Sequence, residues 1–155
     1  MSYDGETRAI CDGETGKIFE WCLLGSCKAT IGYQEAQYLD FKKSLEWVKN
    51  NQKSDPTGKP EKAFAQAIKR GIAKKLGVLY HEVRYYSAIG SALDIFHGID
   101  AFVEYGGKIV TIDVTKESHK TYRKANILIT KDIYEAGVDS GWSELVTDIA
   151  NRLRA

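Results

Sequence analysis

Residues 98–115 read GIDAFVEYGGKIVTIDVT and predict a β-hairpin. Two runs rich in β-branched and aromatic residues, 99–105 and 108–115, flank the dipeptide Gly106-Gly107. A Gly-Gly pair between two such runs is typical of a two-residue hairpin turn, because the central positions of that turn favour positive φ. We therefore expect an antiparallel pair of strands in this part of the chain.

Each strand of this hairpin carries an aspartate among apolar neighbours. Asp100 lies at the start of the first strand, and Asp113 lies in the β-branched second strand. If Tyr105 pairs with Lys108 across the turn, counting outward places Asp113 opposite Asp100. Aspartate is depleted in strands, and like charges directly opposite one another destabilise a sheet. A cation between the two carboxylates would remove that conflict, and oxygen ligands at short range suit Mg²⁺ or Mn²⁺.

A third acidic residue, Glu20, is the one charge in the run IFEWCLL at residues 18–24. This run is apolar on all sides, which predicts a buried helix. A buried glutamate needs a partner or a metal. Each acid could also have an ordinary structural role: Glu20 could reach the surface at a helix edge, Asp100 could cap a turn, and Asp113 could pair with a lysine or an arginine.

Hydrophobic periodicity and turn residues predict the remaining elements. Helices are expected at about 15–26, 33–51, 60–76 and 142–153, and further strands at about 78–88 and 126–130. The order is helices, then a strand meander, then a strand and a helix. It indicates a single α/β or α+β domain, residues 1–155, with one mixed central sheet.

Basic residues are concentrated in the central part of the chain. Residues 42–75 contain ten Lys or Arg and three acidic residues, whereas residues 1–41 contain three basic and seven acidic residues. The helix expected over 60–76 has an apolar stripe, and these cations are expected on its outer side: Lys62, Lys69, Arg70, Lys74 and Lys75. Such a surface could bind nucleic-acid phosphates, although a solvated helix face accounts for the same charges equally well.

The cysteines and the hydropathy pattern bear on the cellular setting. Cys11, Cys22 and Cys27 form no CxxC pair and are odd in number, so we expect reduced thiols in the cytoplasm. The first residues are polar and acidic rather than apolar, and no apolar run is long enough to span a bilayer. The sequence therefore predicts an intracellular protein with no membrane partner.

Three short motifs, in this order, resemble those of the PD-(D/E)XK, or restriction-endonuclease-like, nuclease superfamily. GKIFE (16–20) is similar to the first-helix motif, GIDAF (98–102) to the setting of the first metal-binding aspartate, and IDVT (112–115) to the (D/E)xK step. The resemblance implies an αβββαβ core, completed by the strand near 126–130 and the last helix. It also implies a helical insertion at about 28–77.

The resemblance further implies a function and a set of site residues. It implies a Mg²⁺- or Mn²⁺-dependent nuclease that hydrolyses phosphodiester bonds, of DNA rather than RNA, in DNA processing or repair, as in a phage or mobile-element enzyme. The implied metal ligands are Asp100, Asp113, Glu20 and the carbonyl oxygen of Val114. No element in the sequence reads bases, so strong sequence specificity is not expected.

One position departs from the family pattern, because Thr115 lies where a lysine that orients the attacking water is expected. Thr115 could hydrogen-bond a metal-bound water instead. Lys116 is adjacent but should point to the opposite face of the strand. Lys124, just before the next strand, is the preferred substitute for the missing lysine, and Lys120 and Lys131 are further candidates.

Two accessory residues and two alternative functions complete the expectations. Asp94 and His97 precede the first hairpin strand and are candidate accessory residues of a metal site, although a histidine in a structural turn is more common. The first alternative is a catalytically inactive nucleic-acid-binding module of the same fold. The second is an assembly protein, such as a homodimer, with Tyr38 and Trp47 at its interface.

Overall fold

The computed structural model describes residues 16–27, 37–115, 124–137 and 141–155. These residues form a mixed α/β fold of helices and strands joined by short connections. The elements are α1 (Gly16–Leu24), α2 (Phe41–Asn51), α3 (Ala63–Leu76), a 3₁₀ turn (Tyr80–Glu82), β1 (Arg84–Ser87), α4 (Ala92–His97), β2 (Ala101–Tyr105), β3 (Lys108–Thr115), β4 (Ile127–Thr130), α5 (Lys131–Ala136) and α6 (Gly141–Arg154).

The four described strands form one mixed sheet in the order β1-β2-β3-β4. β2 is antiparallel to both β1 and β3, whereas β3 and β4 are parallel. The hairpin register is the expected one, since Tyr105 pairs with Lys108 and Ala101 pairs with Ile112. Asp100 comes one residue before β2, and its N–H donates to the carbonyl of Ile112, the partner of Ala101, at 2.8 Å. The predicted register is therefore confirmed from Ala101 to Tyr105, and Asp100 lies just beyond the paired residues.

Helices cover both faces of the sheet, and the alternation of side chains along each strand decides which residues meet which layer. On one face, Ile112 belongs to a core that includes buried residues of α1, α3 and α6. On the other face, Tyr86 and Phe102 stack with ring centroids 4.7 Å apart, in a second core with residues of α2 and α4. Ile109 packs against this second core, and Asp113, four residues further on, points to the same face.

The outer edge of β1 is covered by the loop that follows α2. The side chain of Gln52 donates a hydrogen bond to the Ser87 carbonyl (2.9 Å) and accepts one from the Ser87 N–H (3.0 Å). The Tyr85 N–H donates to the Pro56 carbonyl (3.0 Å). These three bonds satisfy backbone groups that an edge strand would otherwise turn to solvent.

The helix expected over 33–51 begins later than predicted. It starts at Phe41, directly after Asp40, whose carboxylate accepts a hydrogen bond from the Lys43 N–H at 2.8 Å. The helix begins after this N-terminal cap, so residues 37–40 are not helical. Residues 33–36 lie outside the described part of the chain. The apolar spacing identified the helix but not its capped end.

α3 occupies most of the segment in which a helix was expected from 60 to 76. It ends at Gly77, whose φ of 72° is a left-handed conformation that favours glycine. The segment belongs to the predicted helical insertion at 28–77, yet Ile68 and Ile72 are buried in the same core as the strands. This part of the chain is therefore a structural layer of the fold.

The sequence did not predict the two short helices α4 and α5. Each has six residues, which is too short for a helical periodicity to stand out. The strand expected over 78–88 is reduced to β1, preceded by the 3₁₀ turn. The mixed α/β class is as predicted, and the restriction-endonuclease-like core in particular stays a prediction.

The structure corrects the expectation of three reduced thiols. Cys22 is disulfide-bonded, whereas Cys27 keeps a buried reduced thiol that accepts a hydrogen bond from Gln52 Nε2 at 3.6 Å. Cys11 lies outside the described residues. Spacing along the chain could not predict this difference, because pairing depends on which cysteines the fold brings together. Among the described helices, none has the length and apolar character needed to cross a bilayer.

Candidate metal centre

Three acidic side chains that are far apart in sequence converge at one point. Glu20 from α1, Asp100 from the start of the hairpin and Asp113 from β3 each offer a carboxylate oxygen, and these oxygens all lie within 4.8 Å of one another. Within the described residues this is the only group of three or more His, Cys, Asp or Glu side chains with such spacing. The clustering that the sequence predicted for these three residues is confirmed.

Backbone hydrogen bonds of the hairpin fix the position of Asp100. Its N–H donates to the Ile112 carbonyl (2.8 Å), and its Oδ2 accepts from the Val114 N–H (2.8 Å). The residue is 2% exposed, and Asp113 is 7% exposed. Backbone hydrogen bonds thus fix the Asp100 carboxyl group inside the protein, and the Asp113 carboxyl group is also buried.

The same bonds indicate the direction of the Val114 carbonyl, which the resemblance implied as a metal ligand. The N–H and C=O of one strand residue point toward the same neighbouring strand. Because the Val114 N–H donates to Asp100, its carbonyl is also directed to the Asp100 side of β3. The prediction for Val114 is therefore compatible with the backbone geometry.

Packing of α1 against the sheet brings Glu20 to this point. Its neighbours Phe19 and Leu23 are fully buried in the core that covers one sheet face. Glu20 is itself half-buried, and its carboxylate belongs to the acidic cluster. The register of the hairpin could not reveal this contact, because it arises from helix-on-sheet packing.

Burial and negative charge act together on Asp100. Removal from water raises the pKa of its carboxyl group well above the ordinary value of 3.8, and the nearby charge of Glu20 raises it further. Asp94 adds to the same effect, and the Asp100 carboxyl shares hydrogen bonds with those of Asp113 and Asp94. Without a bound cation, the cluster therefore retains a proton at neutral pH.

Asp94 is a fourth acid beside the cluster, as its accessory role predicted. It lies on α4, where it accepts a hydrogen bond from the Gly90 N–H at 3.0 Å while contacting Asp100. The short helix thus presents a carboxylate to the same site from a fourth element. Asp94 therefore lies next to Asp100 as a further carboxyl group beside the cluster.

Thr115 lies on β3 two residues after Asp113, so its side chain points to the same face of the sheet. It is half-buried and pairs in the parallel ladder with Thr130. Lys116 and Lys120 lie outside the described residues. Lys131 forms an ion pair with Glu135 (3.5 Å) on α5.

The exposed side chain of Lys124 lies beside Gly98, two residues before Asp100. A Cβ atom added to Gly98 would lie 3.7 Å from Lys124 Cδ, so the lysine side chain runs beside the turn that leads into Asp100. Gly98 has φ +66°, a conformation that favours glycine at this turn. Of the two candidate lysines that the structure describes, Lys124 lies beside the turn before Asp100, whereas Lys131 pairs with Glu135; the substitute role of Lys124 stays a prediction.

His97 contacts a different region and does not join the acidic cluster. Its Nε2 lies 2.7 Å from the Leu39 carbonyl, and its ring packs near the rings of Tyr38 and Phe41. The accessory metal role predicted for His97 is therefore not supported by its contacts. Tyr38 is 66% exposed, whereas Trp47 packs against the second core, so only the first of the two predicted interface residues offers a large surface.

The five cations expected on one outer face of α3 occupy different settings. The ammonium of Lys62 lies 3.6 Å from the centroid of the Trp21 ring and 3.6 Å from Glu61 Oε1. Three others are exposed on α3, in agreement with the prediction: Arg70, Lys74 and Lys75. The basic surface is therefore smaller than the sequence indicated.

Lys69 is buried, so its predicted place on the outer face is wrong. Its side chain is 0% exposed, and its ammonium donates to the carbonyls of Thr57 (3.2 Å) and Tyr80 (2.6 Å). It also lies 3.4 Å from the centroid of the Tyr80 ring. Burial lowers the pKa of Lys69 to about 8. The helical position is the reason for the correction, because Lys69 precedes the buried Ile72 by one turn.

Comparison with known proteins adds no assignment. No protein-family model, no curated protein and no solved structure matches this chain. The functional interpretation therefore depends on the motif resemblance and on the geometry of the acidic cluster.

Proposed function

We propose that this protein is a metal-dependent nuclease that hydrolyses phosphodiester bonds of nucleic acid, DNA in preference to RNA, without strong sequence specificity. One observation carries the proposal: carboxylates from three separate elements, Glu20, Asp100 and Asp113, meet within 4.8 Å. Two of them are buried, where uncompensated negative charge is costly. A divalent cation would compensate that charge.

The donor set fits Mg²⁺ or Mn²⁺. All three side chains offer oxygen, the ligand type that these ions prefer. Two oxygens on opposite sides of Mg²⁺ lie about 4.2 Å apart, since each Mg–O distance is about 2.1 Å. Adjacent oxygens lie about 3.0 Å apart, and among three ligands at most one pair can be opposite, so the observed limit of 4.8 Å requires contractions of up to about 1.8 Å. The raised pKa of Asp100 supports the same idea, because the proton now held there could be exchanged for a cation.

The residues around the cluster then have separate roles. Bound Mg²⁺ or Mn²⁺ would supply a water of lowered pKa and neutralise charge on the phosphate. Glu20, Asp100 and Asp113 would hold the ion, and the carbonyl of Val114 is directed to the same side. Asp94 orients Asp100 from behind. Each acid near the site then has a role that its position permits.

Thr115 and Lys124 act on the attacking water and the phosphate. The Thr115 hydroxyl lies on the Asp113 face of β3 and can hydrogen-bond a water there. The Lys124 ammonium can reach across the Gly98 turn and stabilise negative charge that develops on the phosphate. The two residues together replace the single lysine of the family pattern.

The decisive experiment is cleavage of supercoiled plasmid and of single-stranded DNA in Mg²⁺, in Mn²⁺ and in EDTA. We expect cleavage in either metal and none in EDTA. Asp113→Asn should lower the rate by more than about 100-fold, since residues that merely support metal ligands are already worth about 10–100-fold. Asp132→Asn, at an exposed aspartate on α5, is the matched control and should keep the parent rate.

Lys124→Met tests the proposed substitute for the family lysine. We expect the cleavage rate to fall by about 100–1,000-fold, in line with the loss of one group that stabilises developing charge. Lys108→Met, at an exposed lysine of the hairpin turn, should leave the rate unchanged. An unchanged rate in Lys124→Met would remove this residue from the mechanism without affecting the metal site.

A second candidate function is a nucleic-acid-binding module without catalysis. The threonine at position 115 favours it, because the family lysine is absent there. The same plasmid experiment separates the two functions. Binding in every metal tested, without cleavage, would favour the module.

A further inference from the structure

A groove between α3 and α6 concentrates positive charge beside an indole ring. Its volume is about 610 Å³, and α3 contributes Arg70, Lys74 and Lys75 to its lining. On the α6 side it is lined by Trp142 and Val146. No acidic residue belongs to the lining within the described part of the chain. Since no residue of the carboxylate cluster lines it, this groove is a separate feature of the surface.

We propose that this groove binds an unpaired nucleic-acid strand, with phosphates on the three cations and a base on Trp142. The inference rests on the proposed function only in taking nucleic acid as the ligand. It adds two points to the proposed function: the location of the binding site and the preference for a single strand. Neither point follows from the acidic cluster.

Charge complementarity supports a polyanionic ligand. Among the described residues, Arg70, Lys74 and Lys75 form no ion pair with an acidic side chain. Lys74 and Lys75 lie in the last turn of α3, where they also offset the partial negative charge of the helix end. Arg70 lies before that turn, so the helix end does not account for it. Three cations along one groove, none paired with an acidic side chain among the described residues, suit successive phosphates.

The shape of the groove favours a single strand over a duplex. A duplex is read by an element that protrudes into one of its grooves. Here the cations line a concavity between two closely packed helices, where a Cβ added to Gly71 would lie only 3.0 Å from Val146 Cγ2. The volume is in the range of small-ligand clefts, roughly 300–1,000 Å³. An unpaired strand can enter such a space, whereas a base-paired helix cannot.

Trp142 provides a fixed surface for a base. Its Nε1–H donates to the Tyr134 carbonyl (3.0 Å), and its ring meets Phe64 edge-on with centroids 4.8 Å apart. These contacts hold the half-buried indole in one orientation. A base that stacks on a ring already held in place loses less entropy on binding.

The test is binding of fluorescent oligothymidylate of about 12 nucleotides, a length within the usual site size of such grooves. It is performed in EDTA, so that cleavage and metal binding play no part. We expect the triple variant Arg70→Ala/Lys74→Ala/Lys75→Ala to bind at least tenfold more weakly than the parent. The slope of log affinity against log salt should fall by about 2, because each single-strand phosphate contact contributes about 0.7.

The matched control removes three exposed lysines elsewhere: Lys42→Ala/Lys43→Ala/Lys108→Ala. It changes the net charge equally and should bind within about twofold of the parent, given the roughly 0.5 kcal/mol spread of ordinary surface substitutions. The proposal is overturned if the parent does not bind, if both variants weaken equally, or if duplex DNA binds the groove more tightly. Tighter binding of polyglutamate than of the oligonucleotide would also overturn it and would indicate an acidic protein partner.

A second measurement tests the base on Trp142. In Trp21→Phe/Trp47→Phe, Trp142 is the one tryptophan left of the three in the chain. We expect oligothymidylate to quench its emission, and an abasic strand of equal length to bind with little quenching. Equal quenching by both strands would contradict stacking. Metal-induced stabilisation of the same variants reports on the carboxylate cluster, so failure of the groove and failure of the nuclease proposal are distinguishable.

Discussion

The carboxylate cluster and the groove between α3 and α6 are built in opposite ways. In the cluster, short side chains are buried and held by backbone hydrogen bonds such as that from the Val114 N–H to Asp100. In the groove, long cationic side chains are exposed on a helix and reach into solvent. The first arrangement suits an ion that demands fixed geometry, and the second suits a flexible polyanion. The two regions should therefore respond to different solution conditions: the cluster to metal and pH, the groove to salt.

The largest expected effect separates the two regions by metal. Mn²⁺ at about 100 times its dissociation constant should raise the free energy of unfolding of the parent by about 2.7 kcal/mol. Asp100→Asn should remove this gain, because a cluster ligand is lost, and Asp132→Asn should keep it. Denaturant unfolding with and without Mn²⁺ measures the difference. If the groove variant Arg70→Ala/Lys74→Ala/Lys75→Ala also loses the gain, the two regions are not independent.

Per pH unit, the pH dependence of stability in EDTA gives a smaller effect. The pKa of Asp100 is raised in the folded state, so its contribution to stability is complete below the unfolded value of 3.8 and is lost as pH rises toward the folded value. The free energy of unfolding should fall with increasing pH, by at most about 1.4 kcal/mol per unit for one proton. Asp100→Asn should show a weaker fall. The prediction concerns the difference between the two proteins, because Glu61 has a lowered pKa and acts in the opposite direction.

That pH experiment is contradicted if the parent and Asp100→Asn follow the same curve from pH 4 to neutrality. Saturating Mn²⁺ should also flatten the parent curve, since a cation replaces the proton. The triple variant Arg70→Ala/Lys74→Ala/Lys75→Ala should leave the curve of unfolding free energy against pH unchanged. The comparison thus assigns the pH response to one region.

The smallest effect concerns the helix contact beneath the groove. A Cβ at Gly71 would lie 3.0 Å from Val146 Cγ2, so Gly71→Ala should force the valine to move. Overpacking costs about 1–3 kcal/mol and exceeds the helix-propensity gain of about 1 kcal/mol, so a net loss of about 1 kcal/mol is expected. Combining it with Val146→Ala should relieve the crowding, with a coupling of at least about 0.5 kcal/mol in denaturant unfolding. Simple additivity would show that α3 and α6 do not press on each other there.

The contrast between the carboxylate cluster and the groove also explains how much of each region the sequence could predict. The register of a two-residue hairpin follows from local turn chemistry, so counting residues outward from Gly106-Gly107 was enough to predict the pairing as far as Ala101 and Ile112, and with it the proximity of Asp100 to Asp113. Glu20 joins them through the packing of α1, and only the motif resemblance indicated that contact. Trp142 had no signal in the sequence, because its place in the groove depends on how α6 lies against α3.

Lys69 shows why the basic surface was only partly predictable. A lysine side chain is expected to be exposed, whereas the angular position of Lys69 on α3 faces the core. The side chain is buried, as its helical position requires. Two carbonyls and the face of Tyr80 make burial of the ammonium tolerable. Those partners lie in a loop and a 3₁₀ turn, whose approach to the helix cannot be read from periodicity.

The covering of β1 by Gln52 and Pro56 has a consequence for self-association. An edge strand whose outward amides are exposed can extend its sheet into a neighbouring molecule. Here the outward amides of Tyr85 and Ser87 are already bonded within the chain. Two copies of the protein therefore cannot join by continuing the sheet past β1, and at high concentration this side of the molecule resists the stacking of strands that leads to fibrils.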